Sequence, residues 1–156
     1  MKKLRLTDLL LFVIGTELVG VLSAILSGGS FGEYYDSLAK PPFYPSGAVF
    51  PVVWAVLYAL MGVSAYLIYA DCGEGKNKAL GSYAFQLLAN FLWSPVFFGL
   101  KQTEAAAVIL LILIVLTVIM LIRFARIRRI AAFLNIPYLL WLIYAAYLNI
   151  GILIVS

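Results

Sequence analysis

The segment Tyr35–Gly62 reads YDSLAKPPFYPSGAVFPVVWAVLYALMG, and its two halves require different structures. The first half is a short polar turn followed by Pro41, Pro42 and Pro45. Proline fixes φ and has no N–H, so this cluster is excluded from a helix interior and from a central strand. The second half begins at Pro51 and runs on as an apolar stretch carrying Trp54 and Tyr58. A stiff, aromatic-bearing loop therefore sits directly on the end of a long apolar helix. That is how a lid over a pocket in a membrane would be built.

The rest of the chain supplies the membrane. Of its 156 residues, 65% are hydrophobic and 12% charged, with a mean hydropathy of +1.06. Soluble domains are roughly 45–50% apolar and about 25% charged. A bilayer core needs about 20 apolar residues per helix. Five runs meet that need: 6–27, 48–70, 79–99, 104–123 and 130–154. Membrane β-strands would be about 10 residues long and alternating, and these runs are neither. The expectation is an all-α integral membrane protein, a five-transmembrane-helix bundle forming a single domain over 1–156 with no room for a soluble domain. The first run follows Lys2, Lys3 and Arg5, as a signal peptide would. It exceeds a usual h-region and lacks a small-x-small cleavage site, so we read it as a retained anchor.

Charge gives the orientation. Nine of the eleven basic residues fall on one side: Lys2, Lys3, Arg5, Lys76, Lys78, Arg123, Arg126, Arg128 and Arg129. Only Lys40 and Lys101 fall on the other. The positive-inside rule then puts the N-terminus in the cytoplasm, and the C-terminus and the Pro-rich loop outside a multi-pass cell membrane. The net charge of +4 is thus topological and carries no nucleic-acid signal.

Several chemistries are excluded. There is no histidine, hence neither the usual general base nor the usual haem ligand. The one cysteine, Cys72, permits no internal disulfide. No metal-ligand cluster, nucleotide loop or paired carboxylates occur, so no metal or cofactor is expected. No repeat of the transporter kind is visible.

Three runs carry aromatic faces at helical spacing: Trp54, Tyr58, Met61 and Ala65; Gln86, Asn90, Trp93 and Phe97; and Tyr138, Trp141, Ala145 and Leu148, with Asn149 alongside. Amides are costly in lipid, so Gln86 and Asn90 should point into the bundle. Such faces suit a flat, largely apolar ligand, and they equally suit helix packing. Glu17 lies in mid-span, either as polar glue bonded to a neighbour such as Asn135 or Gln86, or as a coupling or ligand-contacting carboxylate. Gly20 with Ala24, and Ser23 with Ser27, suggest close helix packing. The first loop, 28–47, opens with a helix stop at Gly28, Gly29 and Ser30, and Glu33 to Ala39 suits a helical turn. A possible dimer surface spans Gly81 to Asn90.

The ordered motifs resemble the translocator protein / tryptophan-rich sensory protein (TspO/MBR) family. They are Tyr35, Leu38, Lys40, Pro41 and Pro45; Pro51, Trp54, Leu57, Tyr58, Met61 and Gly62; Gln86-Leu87, Asn90, Trp93, Pro95 and Phe97-Phe98-Gly99; and Pro137-Tyr138-Leu139, Trp141 and Leu148-Asn149. The resemblance implies a five-helix bundle, usually a homodimer, that binds tetrapyrroles such as protoporphyrin IX and synthetic aromatic drugs. It implies a ligand-binding set of Tyr35, Pro45, Trp54, Tyr58, Gln86, Asn90, Trp93, Phe97, Trp141 and Ala145, with the Pro-rich loop as cover. In some bacterial members it further implies light-dependent porphyrin breakdown through two tryptophans, here Trp54 and Trp141. The chain departs from the family pattern at Phe43, where a tryptophan is expected, and in having no basic residue after Tyr147, which argues against sterol binding. Three functions follow: a tetrapyrrole binder acting in sensing or transport, a light-driven porphyrin-degrading enzyme, or a small multidrug exporter using Glu17.

Overall fold

The computed structural model describes residues 5–29 and 31–156; Lys2, Lys3 and Ser30 lie outside them. Helix α1 spans Leu6–Leu26, α2 Phe31–Ser37, α3 Val49–Ala70, α4 Lys76–Ser94, α5 Thr103–Ile127, α6 Arg129–Phe133 and α7 Ile136–Val155, with a π-helical turn at Pro95–Gly99. No strand occurs among the described residues. Helices α1, α3, α5 and the α6–α7 pair are long and apolar enough to cross a membrane. Helix α4 completes the five-helix bundle. It is more polar because Ser82, Gln86 and Asn90 lie on it, and all three are buried, so its hydroxyl and amides face protein and not lipid.

Helix ends follow local chemistry. Gly28 and Gly29 take φ of +84° and +68°, a left-handed conformation that closes α1. Pro51 sits in the first turn of α3, where its missing N–H costs no helical bond. Asp71 leaves α3 extended, and its carboxylate accepts the Gly73 N–H at 2.9 Å. The helical turn expected near Glu33 is two turns long and starts earlier, at Phe31. The third span begins at Lys76, ahead of the expected 79, because Gly75 at φ +80° starts the helix there. The last span is broken in two around Leu134 and Asn135. Pro137 cannot donate to the carbonyl four residues back, so the chain restarts with proline in the first turn of α7.

Pro95 explains one interhelical bond. Lacking an N–H, it leaves the Phe91 carbonyl without its helical donor. The Ser23 hydroxyl of α1 donates to that carbonyl at 2.8 Å. One turn further along, the Ser27 and Ser94 hydroxyls bond at 2.9 Å. The serine pair thus fastens α1 to α4. Helix α1 meets α3 through Gly62, where a Cβ would lie 2.6 Å from the Val13 Cα. Its other face is open: Leu11, Ile14, Leu18, Leu22 and Ile25 are all exposed, as a lipid-facing helix requires.

A buried polar chain crosses the bundle centre. The Tyr58 hydroxyl donates to Asn90 Oδ1 at 2.6 Å, Asn90 Nδ2 donates to the Tyr138 hydroxyl at 2.8 Å, and that hydroxyl donates to Gln86 Oε1 at 2.8 Å. Three helices are joined by groups that would be expensive to leave unpaired in hydrocarbon. Asn135 is fully buried and donates to the Ser64 hydroxyl at 2.7 Å and the Ala131 carbonyl at 2.9 Å.

Candidate functional site

Above the Tyr58–Asn90 bond, toward the Pro-rich loop, α1 and α3 enclose a cavity of about 310 Å³ with α4 behind it. Trp54 and Tyr58 of α3 form one wall, their rings stacked 5.4 Å apart at 29°. Trp93 of α4 and Phe98 of the π-helical turn form another, and Phe31, Tyr35 and Phe50 close the loop end. Polar groups are few: Glu17 and Ser23 from α1, and Asn90 and Ser94 from α4. Gly20 is required here, because any Cβ would strike the Tyr58 ring. The small residues Gly20 and Ala24 therefore make room for an aromatic wall and a cavity.

The loop is held over this end by phenols. The Tyr35 hydroxyl donates to the Pro45 carbonyl at 3.0 Å, Tyr144 to the Phe43 carbonyl at 2.6 Å, and Tyr147 to the Pro42 carbonyl at 2.7 Å. Pro41 packs so closely on Gly151 that a Cβ there would lie 2.6 Å from the proline ring. Phe43 sits at φ +62°, a conformation that strains a side-chain-bearing residue by about 1–2 kcal/mol. The tyrosine bonds on either side of it hold that turn. Burial first, and then the neighbouring Tyr144, Tyr44 and Asp36, push the Tyr35 phenol up to about 12. A raised folded value means its contribution is whole below the ordinary tyrosine range near 10 and fades only as pH climbs toward 12.

The residues singled out in the sequence do not all meet at the cavity. Tyr35, Trp54, Tyr58, Asn90 and Trp93 line the cavity. Gln86 and Phe97 lie behind its wall: Gln86 accepts from Tyr138 beneath it, and Phe97 stacks on Trp93 at 5.3 Å. Pro45 supplies the carbonyl that anchors Tyr35. Ala145 is buried on α7. Trp141 packs against Phe50, centroids 5.8 Å apart, and lines a separate groove between α3 and α7 with Val52, Val56 and Leu140. Glu17 does not bond Asn135 or Gln86, whose amides pair elsewhere; it lines the cavity. Sequence reasoning missed Phe31, Phe50 and Phe98. Phe31 lies within the long first loop and Phe50 just beyond it, and that position was the available signal.

The TspO/MBR family model matches residues 12–155. The chain belongs to the TspO/MBR family. It is 36% identical over 141 residues to the translocator protein of Bos taurus, covering 88% of this chain and 83% of that protein. It is 30% identical over 151 residues to the protein CrtK of Rhodobacter capsulatus, covering 96% and 92%. It is 38% identical over 117 residues to the tryptophan-rich sensory protein of Cereibacter sphaeroides, covering 75% and 73%. Within this TspO/MBR chain, the proline cluster, the Trp54 face and the Asn90–Trp93 face all converge on the cavity end of the bundle.

Proposed function

We propose that this protein binds tetrapyrroles such as protoporphyrin IX, and similar flat aromatic molecules, in the cavity beneath the Pro-rich loop, in the service of porphyrin sensing or transport. The observation that carries the reading is a cavity walled on two sides by aromatic rings, Trp54 with Tyr58 and Trp93 with Phe98. Offset stacking on such walls is the main attraction open to a flat conjugated ligand. The placement of the basic residues supports a cytoplasmic N-terminus with the loop on the outer face.

The light-driven reading draws less support. Trp54 stands at the cavity, whereas Trp141 stands behind Phe50. Trp141 touches the cavity wall at Phe50 and does not itself line the cavity. The exporter reading is weakened by family membership and by the five-helix bundle.

The test is a titration of the detergent-solubilised protein with protoporphyrin IX, followed by tryptophan fluorescence in the dark and then under illumination. Saturable quenching with an unchanged porphyrin spectrum is expected. Quenching without saturation would refute the reading. Light-dependent loss of the porphyrin band, abolished in Trp54→Phe, would move the enzyme reading ahead of it.

A further inference from the structure

Glu17 is the acidic side chain in the cavity wall, and among the described residues that wall contains no lysine or arginine. No hydrogen bond or ion pair ties Glu17 to another described residue. The hydroxyl and amide groups there are already engaged: Asn90 between Tyr58 and Tyr138, Ser23 on Phe91, Ser94 on Ser27, and the Tyr35 hydroxyl on Pro45. A carboxylate left unmatched against apolar rings is costly until it takes up a proton or pairs with a cation. A ligand that brings its own cation supplies that partner, and an anion meets repulsion.

We propose that Glu17 makes this cavity selective for aromatic ligands that present a protonated or N–H-bearing nitrogen to the middle of α1. The proposal rests on the cavity being the ligand site, as argued above, and specifies its ligand class. The cavity is polarised along its length. Its depth holds an acid, while Lys40 stands at the loop end with Nζ 4.9 Å from the Tyr35 ring centre. A ligand with both kinds of group is therefore oriented: nitrogen toward Glu17, carboxylates toward the loop. A tetrapyrrole meets this rule with its acidic side chains toward the loop and the face of its macrocycle, whose N–H groups lie at the ring centre, against Glu17.

A matched pair of probes tests it: 9-aminoacridine, cationic at neutral pH, and acridine-9-carboxylate, with the same ring system and the opposite charge. Both are titrated into the full-length protein in detergent, wild type, Glu17→Gln and Glu17→Asp, with tryptophan quenching as the readout. The wild type should bind the cation about tenfold or more tightly than the anion, the range of one charge-assisted hydrogen bond. Glu17→Gln should bring the ratio close to one, and Glu17→Asp should keep most of it. Equal affinities in the wild type overturn the proposal, and that result stands even if Glu17→Gln does not fold. A preference unchanged in Glu17→Gln overturns it too. In both cases saturable binding leaves the cavity reading intact. Saturable binding of neither probe overturns the proposal and the cavity reading together.

Discussion

The cavity under the loop and the groove between α3 and α7 each hold one tryptophan, Trp54 in the first and Trp141 in the second. Both lie near the loop end, and Phe50 belongs to the first while touching the tryptophan of the second. The first is backed by a third helix and edged by Glu17, Ser23 and Asn90. The second has an almost wholly apolar lining of Val52, Val53, Val56, Leu57, Pro137 and Leu140 around Trp141 and Tyr144. Its one buried polar atom without a partner is the Trp141 indole nitrogen. Stacking surface is common to both clefts. Polar groups that could orient a ligand are concentrated in the first, which is why we propose the ligand site there.

The sharpest way to break this comparison is to fill one cleft at a time. Ala24→Phe places a ring in the cavity from α1, blocks both aromatic walls at about 0.5–1.5 kcal/mol each, and should weaken protoporphyrin binding about tenfold to a hundredfold. Val56→Phe, which crowds the groove, should leave binding within about twofold of the wild type on the same scale. Isothermal titration in detergent reads both. The reverse pattern would assign the site to the groove.

Cutting the polar chain beneath the cavity is the next step down. Tyr138→Phe deletes the hydroxyl that accepts from Asn90 and donates to Gln86, leaving two amide groups short of a partner. Thermal unfolding in detergent should show a loss of about 1–2 kcal/mol, the size measured for hydrogen bonds between membrane helices. No loss would mean that the amides find other partners.

Untying the loop should have a smaller effect on the equilibrium and a clearer one on rate. Tyr144→Phe with Tyr147→Phe removes two bonds to the loop, each worth about 0.5–1.5 kcal/mol. Hydrogen exchange over residues 38–48 should quicken, and ligand release should accelerate several-fold. Unchanged release would mean that the loop does not gate the cavity. The smallest effect is expected for Trp141→Phe, which should leave affinity nearly unchanged while Trp54→Phe lowers it.

Much of this fold could be read from the sequence. The apolar runs are long enough that only helices suit them, and Gly28, Gly75, Pro51 and Pro137 mark ends that the structure uses. The site was read less completely. Periodicity tells which side chains share a face but not which neighbour that face meets. On α7, Tyr138 and Trp141 differ by about 60° around the helix; Tyr138 reaches the central amides, whereas Trp141 turns to the far side of α3. On α1, Gly20 and Ala24 look like a helix-packing pair, and only the three-dimensional arrangement shows the Tyr58 ring and the cavity beside them. Glu17 was conspicuous as an intramembrane acid, yet its surroundings depend on a Pro95-induced contact between α1 and α4 that no local pattern announces.

The account turns on which cleft holds the ligand, and photoaffinity labelling answers that most directly. A flat aromatic probe carrying a diazirine would be bound, illuminated, and its adducts mapped by peptide mass spectrometry. Adducts on Trp54, Tyr58 and Trp93, suppressed by excess protoporphyrin IX, are the predicted result. Adducts confined to Val52, Val56 and Trp141, suppressed in the same way, would contradict it.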